Sequence, residues 1–317
     1  MNISYALNEI VRNWNQRKWW RSRMMEHVVG RTYSLLNESG QNYFDKDWDN
    51  LILFDAARAD LFEETFDTSS EFDEYERTKS PGTSSAEWMK ACFGDKTYPD
   101  TIYVSGNPWV SRFGSDSFHR VYNLWVDEFG LNEDAGAGKE DILEDHDPKG
   151  WGTIKADKLT RVAIEKQQEH PNKRLVVHYF QPHAPCIGNP DGSVKGNIDH
   201  RIEPDENLRR GNTTRQEIWE AYKDNLLYAY SHSQKLSNTI DGKTVYSADH
   251  GELMGEWLWP FPIRGHAHPS GVKHPKLLEV PWAVHNGERR QIKEGSIEER
   301  DFDQDQIDEH LEDLGYL

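Results

Sequence analysis

Apolar positions along the chain fall in short runs separated by polar, turn-forming stretches. Residues 50–54 (Asn-Leu-Ile-Leu-Phe) lead straight into Asp55, the pattern of a strand buried on both faces. Residues 101–104 lead into Ser105-Gly106-Asn107-Pro108, a strand followed by a turn. A third run, residues 175–180, is stopped by Pro182, and a fourth, residues 244–247, ends at Ala248-Asp249-His250-Gly251. A fifth covers residues 280–284, where Pro281 indicates an edge strand or a strand start. Between these runs the period becomes helical. Residues 152–169 predict one helix, and residues 214–240 another, with Ile218, Tyr222, Leu226 and Tyr230 on one face. A short acidic helix is expected over residues 307–314, and residues 127–152 and 188–212 read as long surface loops. Strands alternating with helices predict an α/β fold, a mostly parallel central sheet with helices on both faces. One such domain is expected over residues 41–317, after an amphipathic, basic helical segment over residues 1–40.

Composition narrows the class. The 317 residues are 36% hydrophobic with a net charge of -18, and the 12 Trp, 13 Tyr and 12 Phe argue for a packed core rather than a disordered chain. A chain this acidic lacks the basic face that phosphate backbones require, so nucleic acid is not an expected partner. Two cysteines, Cys92 and Cys186, make neither a disulfide scaffold nor a zinc-cysteine site. The longest stretch without Asp, Glu, Lys or Arg, residues 175–190, carries two histidines and three prolines and cannot span a bilayer. The first residues lack the basic-then-apolar order of a signal peptide, so a cytoplasmic protein is expected.

The charge is uneven. Residues 1–35 hold Arg12, Arg17, Lys18, Arg21, Arg23 and Arg31 against Glu9 and Glu26, which is +4 and leaves -22 for the remainder. Trp14, Trp19 and Trp20 lie among these cations. Two readings stand: a helix that packs its apolar side on the main domain, or peripheral contact with an anionic membrane surface.

Chemistry is expected where parallel strands end, because ligands bind outside their carboxyl ends. Asp55 closes the first strand, Asp249-His250 the fourth, and His183 follows the third. Two carboxylates and an imidazole form a mixed O/N set suited to Mn²⁺, Zn²⁺ or Mg²⁺. Between the first two strands lies Gly82-Thr83-Ser84-Ser85-Ala86-Glu87, which reads either as a helix cap or as a nucleophile segment at a helix N-terminus.

Taken in order, Leu51 to Asp60, Gly82 to Ser85, Gln181 to Pro185 and Ser247 to Glu252 resemble the alkaline phosphatase superfamily, in its sulfatase-like hydrolase and transferase branch. The ending Leu311-Glu312-Asp313-Leu314-Gly315-Tyr316 is similar to that of many members, and the resemblance spans residues 48–317. It implies a metal-dependent hydrolase or transferase acting on phosphate or sulfate esters, glycan- or lipid-linked substrates included, through a covalent Thr or Ser intermediate. It assigns Asp55, Thr83, Asp249 and His250 to one divalent ion (Mn, Zn, Mg or Ca). Thr83 is the implied nucleophile, with Ser84 and Ser85 as alternatives. Arg58 is implied to steady the nucleophile or a transferring oxyanion, His183 to contact the substrate anion, and His268, with His266 as alternative, to reach the leaving group or metal. Cys92 lacks the Cys-x-Pro-Ser-Arg setting of formylglycine, so ordinary sulfate-ester hydrolysis is not expected. At the matching place, near Tyr179 and His183, the Asp that two-metal members carry three residues before a His does not appear, so one ion is expected. A non-catalytic member that binds an anionic glycan, and a membrane-docked headgroup transferase, are the alternative functions.

Overall fold

The computed structural model describes residues 11–125, 153–187, 207–208 and 210–298. The expected helix at residues 307–314, the similar C-terminal ending and nearly all of the two expected long loops lie outside them. A seven-stranded sheet runs in the order β2-β9-β6-β1-β5-β3-β4. Its members are β1 (Asn50–Asp55), β2 (Glu74–Lys79), β3 (Tyr98–Ser105), β4 (Phe118–Asn123), β5 (Arg174–Pro182), β6 (Thr244–Ser247) and β9 (Glu279–His285). Strands β6, β1, β5, β3 and β4 are mutually parallel, while β9 runs antiparallel between β6 and β2. A mostly parallel α/β sheet, as the pattern predicts, therefore carries its five parallel C-terminal ends along one edge.

Both faces of the sheet are covered. In β5 every residue from Leu175 to Pro182 is buried, which explains its continuous apolar run. Alternate side chains go to opposite layers. Tyr179 meets Thr160 of helix α5 (Ala156–Glu169) through a 2.6 Å hydroxyl contact, and helix α6 (Arg215–Ser237) packs against α5 and β5. On the other face His178 meets Trp88 of helix α4 (Ser85–Phe93). Helix α6 starts where the sequence indicates, because Thr214 and Glu217 form a reciprocal capping box.

The pattern missed four strands. Edge strand β2, Glu-Tyr-Glu-Arg-Thr-Lys, is charged and largely exposed, which blunts the sheet edge against further pairing but erases the apolar signal. At the opposite edge β4 is similarly mixed. Strands β7 (Leu253–Trp257) and β8 (Arg264–Ala267) form a separate hairpin. Pro281 corrects the expected edge position of the fifth run, since β9 lies inside the sheet. Pairing with β6 ends at Tyr246 and Ala283, so Pro281 lies past the last β6 rung, and its carbonyl accepts 2.7 Å from Ser247 Oγ.

Helices α1 (Arg17–Met24) and α2 (Gly30–Leu36) flank one π-helical turn (Met25–Val29). Val29 and Tyr33 bury themselves against Leu253, Leu258, Val272 and Leu277. A side chain at Gly30 would press on the Gly271 carbonyl, so glycine lets the helix approach that loop closely.

Candidate functional site

Three parallel strand ends and one helix N-terminus converge. Asp55 ends β1, Asp249 and His250 follow β6, Asn107 follows β3, and Ser85 is the first residue of α4. All five are buried. Ser85 Oγ donates to Asp249 Oδ2 at 2.6 Å and lies 3.3 Å from His250 Nε2. Asn107 Nδ2 donates to Asp55 Oδ2 at 2.7 Å and to Ser85 Oγ at 3.0 Å. Asp249 Oδ1 is fixed by the backbone N–H groups of Ala56 and His250, at 3.1 and 2.9 Å. His250 Nδ1 lies 2.8 Å from the Gly251 carbonyl, and its Nε2 faces both carboxylates at 3.5 Å. Gly251 is required for this turn, because a Cβ there would collide with the Lys276 carbonyl.

The donor set fits a divalent cation. Asp55, Asp249 and His250 each offer an atom, all within 4.8 Å of one another. Asp55 Oδ1 is buried, accepts no hydrogen bond, and lies 3.5 Å from His250 Nε2. Burial, and then the charge of Asp249, push the Asp55 carboxyl well above its ordinary range. Asp249 goes the other way: despite burial, the neighbouring imidazoles of His250 and His178 hold it below that range. The two carboxyls of the pair are thus shifted in opposite directions. Behind it stands His178, with Nε2 3.5 Å from Asp249 Oδ2 and Nδ1 2.9 Å from the Tyr103 hydroxyl.

A second, half-buried cluster adjoins the first. His183, Glu252 and His268 also bring ligand atoms within 4.8 Å, with His183 Nε2 3.3 Å from His268 Nε2. The rings of His250 and His268 are 4.6 Å apart, which links the clusters. Desolvation draws His183 down to about 4 and His268 well below its ordinary value, the latter with help from His250 and His183. Asn225 of α6 holds the loop carrying His183, donating to the carbonyls of Pro182, His183 and Pro185 and accepting from Ile187 N. Ala56 and Ala267, the neighbours of Asp55 and His268, both have positive φ (61° and 58°), so the backbone is strained beside each cluster.

Several residues implied by the resemblance sit elsewhere. Thr83 Oγ1 donates to Glu87 Oε2 at 2.7 Å and accepts from Gly271 N at 3.1 Å, tying α4 to the loop after β8. Ser84 is the N-cap and accepts from Glu87 N. Of the three hydroxyls, Ser85 is the one hydrogen-bonded to the carboxylate cluster. The Arg58 fork is engaged by Asp60 Oδ1 and Oδ2, Glu256 Oε1 and the Glu252 carbonyl, at 2.7–3.0 Å, and it packs on Trp219. It therefore braces the Glu252 segment. His266 pairs with Met254 across the β7–β8 hairpin, outside both clusters. Asn107 had been legible only as a turn residue, and its signal was its place at a parallel strand end.

No family model matches the chain, and no curated protein matches it in sequence. Solved structures do match. The soluble domain of lipooligosaccharide phosphoethanolamine transferase A from Neisseria meningitidis is 14% identical, covering 79% of this chain and 80% of its own, with a TM-score of 0.47. The C-terminal periplasmic domain of EcEptC from Escherichia coli, in complex with Zn, is 13% identical, covering 84% and 79%, with a TM-score of 0.42. A protein of the alkaline phosphatase superfamily from Vibrio parahaemolyticus is 14% identical, covering 82% and 63%, with a TM-score of 0.40. The expected cytoplasmic location is corrected by these matches, since the EcEptC domain is periplasmic and a segment without signal-peptide order does not fix a compartment. The Vibrio parahaemolyticus protein is described as a member of the superfamily that the chain's own motifs resemble.

Proposed function

We propose that the chain is a phosphoryl-transfer enzyme of phosphate esters that works through a covalent intermediate on Ser85. The observation that carries this reading is Ser85 Oγ, held at a helix N-terminus 2.6 Å from Asp249 and 3.0 Å from Asn107. Asp55, Asp249 and His250 would hold one divalent ion, with the Ser85 hydroxyl as a further donor. Such an ion, when bound, lowers the pKa of a hydroxyl ligand and offsets charge on phosphoryl oxygens.

The remaining parts act on the ester. Ser85 Oγ passes its proton to Asp249 Oδ2, which returns it when Ser85 is freed, and bonds to phosphorus as the bond to the leaving oxygen breaks, while the α4 dipole favours the anion at that place. Asn107 Nδ2, with one proton on Asp55 Oδ2 and the other on Ser85 Oγ, holds the nucleophile beside the carboxylates. The imidazoles of His183 and His268, held neutral by desolvation, gain affinity for a proton once a phosphate anion arrives beside them. One of them then delivers that proton to the leaving oxygen. Water, or an acceptor hydroxyl, returns its proton to the same imidazole as it attacks phosphorus and frees Ser85. Glycan- and lipid-linked phosphoesters are the substrate class in view.

Acid quench during turnover of an aryl phosphodiester, followed by peptide mass mapping, tests this. The expected adduct is on Ser85, and Ser85→Ala loses both adduct and at least about 10³-fold in turnover. Thr83→Ala keeps both. An adduct on Thr83 or Ser84, or turnover that survives Ser85→Ala, would overturn the assignment.

A further inference from the structure

The inner side of the N-terminal segment is used for packing, yet its outer side is aromatic. Trp14 is 70% exposed and Trp20 46%, although a helix that merely covers the domain would direct such side chains inward. The β7–β8 hairpin does the same: Trp257 is 57% exposed and Trp259 77%. These four are one surface. Trp20 Nε1 donates to the Trp14 carbonyl, and the adjacent Arg21 donates 3.0 Å to the Arg264 carbonyl. Arg264 lies 4.3 Å over the Trp257 ring, and Tyr33 of α2 donates to the Trp259 carbonyl at 3.1 Å. Large apolar exposure gathered in one place marks an interaction surface.

Charge selects the partner. Residues 1–35 carry +4 while the rest of the chain carries -22, so an anionic bilayer favours this segment over the remainder taken together. Tryptophan rings beside arginines suit the headgroup layer, where the ring is half apolar and the guanidinium meets phosphate. No described helix is long and apolar enough to cross a membrane. We infer that the Trp14–Trp20 helical segment and the Trp257–Trp259 hairpin together form a docking face for an anionic lipid bilayer. The face is coupled to the second cluster by covalent structure. Strand β7 begins one residue after Glu252, and β8 ends one residue before His268. Four residues with a bulge at Gly255 separate Glu252 from Trp257, at most about 17 Å of strand. Docking would thus set a fixed height for the cluster above the bilayer, within reach of a headgroup on a lipid-linked ester.

Vesicle flotation tests the docking without any turnover, so its failure and that of the phosphoryl-transfer reading are separable. The full chain is mixed with vesicles of phosphatidylcholine alone, or of phosphatidylcholine with phosphatidylglycerol. Flotation with the mixed vesicles only, reversed at about 0.5 M salt, is expected. The exposed pair Trp257→Ser with Trp259→Ser should weaken partitioning at least about tenfold, and Arg12→Gln with Arg31→Gln about thirtyfold, since each arginine near an anionic surface contributes about fivefold. Circular dichroism and turnover of a soluble phosphodiester should match wild type in both variants. A wild-type chain that stays unbound, or a tryptophan variant that floats equally well, overturns the inference. So does a tryptophan-dependent dimer in sedimentation without flotation, which would assign the face to a second copy of the chain.

Discussion

The two clusters at the C-terminal edge of the sheet are built in opposite ways. Asp55, Asp249, His250, Ser85 and Asn107 are fully buried, sit on or next to strand ends and a helix start, and are cross-linked by hydrogen bonds of 2.6–3.3 Å. His183, Glu252 and His268 are only partly buried and stand on connecting segments, clamped from outside by Asn225 and Arg58. The first cluster is over-determined by the sheet, and so it suits charges that must not move. The second is adjustable, and so it suits a ligand that enters and leaves. Division of labour between a rigid centre and a yielding neighbour follows from where each residue is anchored.

The sharpest way to break this contrast is to remove the two carboxylates of the rigid cluster separately. Asp249→Asn strips a centre that accepts from Ser85 and from two backbone N–H groups, so the metal-free protein should lose about 3 kcal/mol in chemical denaturation. Asp55→Asn should leave the metal-free protein unchanged or more stable, because burial and the Asp249 charge already disfavour its ionised form. Both variants should lose more than about a hundredfold in Mn²⁺ or Zn²⁺ affinity by calorimetry, more than the loss typical for an outer partner of a ligand. In wild type that binding should tighten as pH rises, since both carboxylates must be ionised to hold the ion. Equal destabilisation by the two variants would show that the pair is not electrostatically opposed.

The yielding cluster should respond differently. Whichever of His268→Gln and His183→Gln removes the proton donor should lower phosphodiester turnover about a hundredfold. Metal affinity at the first cluster should change by less than about threefold in either variant, because neither imidazole is a ligand there. A large loss of metal affinity in His268→Gln would merge the two clusters into one centre, and the contrast would fail.

Much of this was legible in the residues. The buried parallel strands announce themselves because both faces are apolar, and Asp55, Asp249, His250, His183 and His268 could be picked out as polar residues next to those runs or in motifs. The strands that escaped are those whose burial is one-sided or absent, as in β2, where charged positions guard an edge. The choice among Thr83, Ser84 and Ser85 was illegible for a geometric reason. Successive residues around a helix start point in directions that differ by about 100°, so only the seating of α4 decides which hydroxyl faces the carboxylates. Arg58 misled for the opposite reason. A guanidinium next to a strand end invites an oxyanion role, but its partners Asp60 and Glu256 lie on different elements, and Glu256 is nearly two hundred residues away. Glu252 and Asn107 gain meaning only once folding sets them beside residues distant in sequence.

The brace around Arg58 gives the smallest expected effect and tests how the second cluster is held. Asp60 accepts from Arg58 at 2.7 and 2.9 Å and from Lys276 at 2.6 Å, while Arg58 also holds the Glu252 carbonyl. Burial opposes the Asp60 charge, yet Arg58 and Lys276 outweigh it and hold the carboxyl below its ordinary range. A depressed carboxylate contributes stability that is present above its unfolded value of about 4 and is lost as pH falls toward the folded value. Asp60→Asn should therefore cost about 2 kcal/mol at pH 7, and the gap to wild type should narrow on acidification below about pH 4. Because Asp60 touches neither cluster, its effect on turnover must pass through Arg58 to Glu252 and should stay within a few-fold. A pH-independent gap would assign the loss to packing, and the charge of Asp60 would then have no part in positioning the second cluster.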